Sequence, residues 1–307
     1  MSESSSTLAI PEPYIPEPSV PVSPPAHAPR RVVTLTCSNT EIVCALGAED
    51  RLVAVDDHSD FPVAVVDGLP RVGPDLGIDV DKVKALEPDL VLASMTVPGH
   101  EKVLARLEDA GLPFWYSRPQ SLEDVYRDID AVSVLLGIPE QGQETVRSMR
   151  EEMAEARSSV IETAGRRPKI AVQWWPKPVI VPGRLSWVHD LIEAAGGENL
   201  IGDEAVESRP LTDEEVRDLA PDAIVLSWCG VEEKKYRPDV VYGNALWQDV
   251  PAIRERRVLT ITEAFLGRPS PRLLDGFRAL KRVVEQCLAT EQRSATEQRL
   301  ATETSSG

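Results

Sequence analysis

Residues 86–92, LEPDLVL, return as LAPDAIVL at 219–226, so that Pro88-Asp89 and Pro221-Asp222 stand 133 positions apart. Each copy follows an acidic helix start, DVDKVKA in the first and TDEEVRD in the second. A proline cannot continue a helix, and the apolar run after it has the length of a buried strand. A Pro-Asp corner between helix and strand is commonplace in α/β proteins. Two of them with the same acidic approach imply two α/β lobes, each contributing one such corner. A chain of 307 residues is long enough for both.

The segments around the repeat support this. RVVTLT (31–36) is a β-branched run, and Ser38-Asn39-Thr40-Glu41 has the spelling of a capping box for a helix ending at Gly47. RLVAV reads as a strand, VDKVKALE as a helix and DLVLA as a strand. Helix 99–110, strand LPFWY and helix 121–136 follow. Such alternation predicts parallel strands covered by helices on both faces. Residues 139–168 are rich in helix formers and read as a single interlobe helix, roughly 38 Å for 25 residues, that joins the lobes rigidly. Strand KIAVQWW then opens the second lobe. The expected domains are a disordered proline-rich segment (1–29), an N-terminal lobe (30–138), the joining helix (139–168), a C-terminal lobe (169–288) and a loose low-complexity tail (289–307).

Composition excludes several function classes. A formal charge of −17 argues against binding nucleic acid or an anionic membrane surface. No apolar run approaches the ~20 residues that cross a bilayer, so the chain is not membrane-embedded. The four cysteines are widely spaced without a CxxC, which reads as buried free thiols. The N-terminus has neither a basic start nor an apolar stretch, nor a lipid-anchor cysteine; as written, the chain belongs in the cytosol.

The segments TLTCSNTEIVCALGAEDRLVAVDDHSDFP, KVKALEPDLVLAS, AAGGENLIGD and FLGRPSPRLLDGFRAL resemble the class III solute-binding proteins of ABC transporters, which bind cobalamin and siderophores, and most of all the cobalamin-binding branch. The resemblance covers about 31–288. It implies two Rossmann-like α/β lobes joined by one backbone helix, with a ligand in the interlobe cleft, usually in the periplasm. It implies a corrinoid or related metal chelate as ligand, no intrinsic cofactor, an ABC permease as a possible partner and a monomer. Carried over by position, the ligand residues are His58 with Asp57 and Asp60, Trp174 or Trp175, Phe265 and Arg268. The acidic residues that would dock to a permease are Asp81 and Glu214. The tryptophans that cobalamin binders carry ahead of the two docking helices are replaced here around GPDLGID and ESRPLT.

His58 has a plainer reading as a solvated turn residue bonded to Asp57 or Asp60, and a third as a metal ligand, although His27, His100 and His189 are not in comparable loops. Of Trp174 and Trp175 one ring should face each way, so at least one is core. Arg268 reads as projecting from a loop stiffened by Gly and Pro, or as a surface charge. The acids at 79–81 and 213–215 suit helix N-termini without any partner. An enzyme is the competing class. A hydrolase would use His58 with an Asp, but no GxSxG, HExxH, P-loop or GxGxxG stands in the required context. A cytosolic corrinoid, tetrapyrrole or iron-siderophore binder without a permease is a further alternative.

Overall fold

The computed structural model describes residues 27–161 and 166–305, with the side chains of 155–161 and 291–305 excepted. It divides into two compact units, one of residues up to Thr40 with Glu49–Arg118, the other of Glu41–Ala48 with Pro119 onward. Nearly all of the anticipated N-terminal proline-rich segment, and part of the joining helix, lie outside the described residues.

The chain up to Arg118 runs in the order β1 (Val32–Thr34), α1 (Cys37–Ala45, whose residues from Glu41 on are counted with the second unit), β2 (Leu52–Val55), α2 (Val63–Val66), α3 (Val80–Ala85), β3 (Leu90–Ser94), α4 (His100–Asp109) and β4 (Phe114–Ser117). Its strands are parallel in the order β2-β1-β3-β4. Every residue of β1 and β3 is buried, as expected of a parallel sheet covered on both faces. Val33, Val91 and Ala93 pack with Val83, Leu104 and Leu107 in its core.

The second unit continues with α5 (Leu122–Leu135), α6 (Pro139–Ile161), β5 (Lys169–Gln173), β6 (Trp175–Pro176), β7 (Val179–Pro182), α7 (Trp187–Ala194), β8 (Glu198–Asn199), β9 (Ser208–Leu211) and α8 (Asp213–Leu219). Then follow β10 (Ala223–Leu226), α9 (Pro238–Tyr242), α10 (Pro251–Arg254), β11 (Val258–Thr260), α11 (Glu263–Leu266) and α12 (Leu273–Ser305). Its parallel sheet has the order β11-β10-β5-β8. Beside it lies a small antiparallel sheet, β6-β7-β9, absent from the alternating pattern read in the sequence.

The repeated Pro-Asp corner has the same construction in both units. Helix α3 gives way to Glu87 at φ 46°, and α8 to Ala220 at φ 49°, each a left-handed residue just before the proline. The aspartate then fastens the start of the neighbouring strand. Asp89 Oδ2 accepts from the backbone N–H of Arg30 and Arg31 (2.8 and 3.0 Å), and Asp222 Oδ2 accepts from Lys169 N–H (2.8 Å). In return Asp89 N–H donates to Arg31 O and Asp222 N–H to Lys169 O. The corner turns the chain and sets the sheet's register at once.

Four details differ from the sequence reading. Helix α1 begins at Cys37, so Ser38–Glu41 lie inside it, and Thr36 stands at its head, bonded through Oγ1 to Asn39 Nδ2. The boundary between units falls after Arg118, because α5 packs on α6 and α7. The chain anticipated as a loose tail is helical to Ser305 as the continuation of α12. Among the cysteines Cys287 is buried, but Cys37 and Cys44 are half-buried and Cys229 is exposed.

Candidate ligand-binding site

In parallel α/β sheets ligands bind beyond the carboxyl ends of the strands. In the first unit the turn after β2 lies at that end. Asp56 is fully buried, and its carboxylate accepts from His58 N–H (2.9 Å) and from Ser59 Oγ. Arg71 Nη1 donates to Asp56 O (2.9 Å), and Thr40 Oγ1 bonds Ser59 Oγ (2.7 Å). Burial pushes the Asp56 carboxyl above its ordinary range. Asp57 N–H donates to Gly73 O (2.9 Å), which fastens a second loop, 73–79, alongside. Gly73 has φ 104°, and a Cβ there would lie 2.7 Å from Gly77 O, so only glycine suits this turn.

That loop brings Asp75 to His58, and with it His100, neither of which the sequence reading placed there. His58 Nε2 is 3.8 Å from Asp75 Oδ1, and His100 Nε2 is 3.7 Å from Asp75 Oδ2. The two rings differ in setting: the His58 side chain is 59% exposed and that of His100 only 4%. His100 lowers the Asp75 carboxyl below its ordinary range, against an opposing contribution from burial. The carboxylate facing the His58 ring is therefore Asp75, whereas Asp57 and Asp60 are exposed beside it. Among the described residues no group of three or more His, Cys, Asp or Glu is disposed to hold a metal ion.

In the second unit Trp174 follows β5 and is half-buried, its Nε1 buried without a hydrogen-bond partner. Trp175, in β6, is 42% exposed. Neither indole is core, against the expectation that at least one would be, because Trp174 falls in the turn between β5 and β6 rather than inside a covered strand. Nearby, a cavity of about 670 Å3 is walled by Trp228, Trp247, Leu211 and Val179, with Gln173, Lys177, Asp213 and Asn244 at its polar edges. Trp228 Nε1 donates to Gln173 Oε1 (3.1 Å) and Trp247 Nε1 to Asp213 O (3.0 Å), so both indoles are fixed. No motif marks this cavity, because its walls come from β5, β6, β7, β9, α8, α9 and the residues after β10 and α9.

Arg268 does not project freely from its loop; it is 8% exposed. Its Nη1 donates to Glu41 Oε1 (3.1 Å) and its Nε to Glu263 Oε2 (3.3 Å). Arg272 Nη1 also donates to Glu41 Oε1 (2.8 Å), and Ser270 Oγ to Glu41 Oε2 (2.6 Å). The Arg272 guanidinium lies 5.0 Å from the centre of the half-buried Phe265 ring. Glu41, spelled in the sequence as a capping residue, is instead the buried anion that gathers the loop. A carboxylate with its side chain 1% exposed is costly to bury unless cations and hydroxyls surround it, as they do here.

Asp81 and Glu214 sit exposed in the first turns of α3 and α8. Capping is done by others: Asp79 accepts from Lys82 N–H, and Thr212 with Glu215 completes a capping box. Both acids are left facing solvent.

These features can be set beside known proteins. The chain is 29% identical over 258 residues to a vitamin B12-binding protein of Vibrio parahaemolyticus, which covers 84% of this chain and 88% of that protein. The crystal structure of the periplasmic vitamin B12 binding protein BtuF of Vibrio cholerae matches with a TM-score of 0.69 at 25% identity, over 85% of this chain and 98% of that one. The periplasmic heme-binding protein RhuT of Roseiflexus sp. RS-1 matches with a TM-score of 0.72 at 27% identity, over 84% and 99%. The family of these relatives is periplasmic, which gives no support to the cytosolic placement suggested by the N-terminus. Among the described residues no helix is long and apolar enough to cross a membrane. The model of the periplasmic binding protein family matches residues 32–264, and the chain belongs to that family of substrate-binding proteins.

Proposed function

We propose that this chain is the substrate-binding component of an ABC-type uptake system and that its ligand is a corrinoid or a related metal chelate. The observation that carries the reading is the near full-length match to vitamin B12-binding proteins, with a heme-binding neighbour on the same fold. On this reading the first unit offers His58 with Asp57 and Asp60. The second offers Trp174 and Trp175 as flat apolar area, together with Phe265 and Arg268. His58 is the polar handle, either a hydrogen-bonding group or an axial nitrogen to the metal. Arg268, already held by two carboxylates, supports the loop that carries Phe265 more than it offers a free charge. Asp81 and Glu214, exposed and without a capping task, are the groups that would meet basic residues of a permease.

The test is a visible-absorption titration of wild type and His58→Ala with cyanocobalamin, haemin and a ferric hydroxamate. Axial coordination predicts a band shift in wild type that His58→Ala abolishes; a contact alone predicts weaker binding with an unchanged spectrum. Equal affinity of both proteins for all three compounds would remove His58 from the site.

A further inference from the structure

The three side chains His58, Asp75 and His100 form an ordered series. His100 is the fixed end, 3% exposed at the head of α4, and its Nδ1 accepts the Val97 N–H at 3.4 Å. A neutral imidazole whose Nδ1 accepts carries its proton on Nε2. That Nε2 is buried, has no hydrogen-bond partner and faces Asp75 Oδ2 at 3.7 Å. Asp75 is the middle member, in a 3-10 turn (Asp75–Gly77) whose entry is fixed by Gly73. His58 is the free end. Its backbone is tied to Asp56, and its ring, open to solvent, turns Nε2 toward the other Asp75 oxygen at 3.8 Å. At 3.8 Å the pair is longer than a hydrogen bond, so the carboxylate acts by its charge, which favours the proton on the ring nitrogen nearer to it and leaves the opposite nitrogen with a bare lone pair.

We propose that His100 and Asp75 are positioning residues that hold His58 as the Nε2–H tautomer, with the Nδ1 lone pair presented outward to accept a hydrogen bond from the ligand. The inference rests on the ligand-binding reading above and narrows it. A bare lone pair on a ring whose other nitrogen faces the Asp75 carboxylate selects a ligand edge that bears N–H or O–H donors, such as primary amides, and disfavours a carboxylate edge.

The experiment uses the full chain, labelled with 15N-histidine and free of ligand, at a pH where the rings are neutral. Long-range 1H–15N spectra report each ring's tautomer. Wild type should show His58 and His100 each as the Nε2–H form alone. Asp75→Ala should turn His58 into a mixture and weaken cyanocobalamin binding about fivefold, the worth of one hydrogen bond. His100→Gln, which keeps a side-chain N–H toward Asp75, should retain the wild-type state of His58, and His100→Ala should not. A tautomer mixture or the Nδ1–H form of His58 in wild type, or no change in Asp75→Ala, overturns the proposal. Absence of ligand binding by wild type would instead overturn the uptake reading, and the ligand-free spectra decide the positioning roles without it.

Discussion

Replacing Glu41 by Gln tests whether the 265–272 loop is held by one buried anion. The carboxylate accepts from Arg268, Arg272 and Ser270 at 3.1, 2.8 and 2.6 Å, with its side chain 1% exposed. Glutamine keeps the shape but removes the charge, and its amide hydrogens now meet guanidinium or hydroxyl. Breaking one side of a buried charge pair costs about 3–5 kcal/mol. Two features moderate that figure: Arg268 keeps Glu263 at 3.3 Å, and the Arg272 side chain is 20% exposed and lies against Phe265. The expected loss is therefore about 3 kcal/mol. For a unit approaching 200 residues this lowers the midpoint of thermal unfolding by roughly 6–12 °C. Urea unfolding followed by tryptophan fluorescence gives the same quantity at constant temperature, and Arg268→Met should show a similar loss. A Glu41→Gln protein within about 0.5 kcal/mol of wild type would refute the reasoning, since a solvated or redundant carboxylate behaves that way.

Other consequences are as direct. Burial raises the Asp128 carboxyl to about 7. Because the folded state keeps a proton that the unfolded state releases near 3.8, stability from this group falls as pH rises from about 4 to about 7 and is flat above. Asp128→Asn should thus be more stable than wild type at pH 8, by up to on the order of 4 kcal/mol, and gain little at pH 4, as urea unfolding at the two pH values will show. Thr212→Ala removes the capping box of α8 and should cost about 1 kcal/mol in the same assay. Gly276→Ala drives a Cβ onto the Phe265 carbonyl and should cost about 1–3 kcal/mol while weakening ligand binding by displacing the loop. The pair Asp81→Lys and Glu214→Lys should cost only about 1 kcal/mol per helix through the helix dipole, leave ligand binding unchanged and abolish uptake in a transport assay.

The fold was legible in the sequence where local chemistry and periodicity agree. Pro88-Asp89 and Pro221-Asp222 announced two sheets because each pair must both stop a helix and start a strand, and the backbone bonds to Arg31 and Lys169 explain why aspartate follows the proline. The antiparallel β6-β7-β9 sheet was not legible, because strands of two to four residues carry too little alternation. The repetitive C-terminus lacked an apolar face, yet its backbone stays helical where α12 has already nucleated it. At the site, His58 stood out by position, but Asp75 and His100 lie 17 and 42 residues further on, and only loop 73–79 unites them. Glu41 was misread because its spelling fits a cap; its partners lie 227 to 231 residues away.

The central claim, capture of a corrinoid-class chelate, is met most directly by isothermal titration calorimetry of the wild-type chain with cyanocobalamin, haemin and a ferric hydroxamate in turn. The account predicts saturable binding of one molecule per chain, tightest for cyanocobalamin. A folded protein that takes up none of the three, or that binds only the ferric hydroxamate, would contradict it.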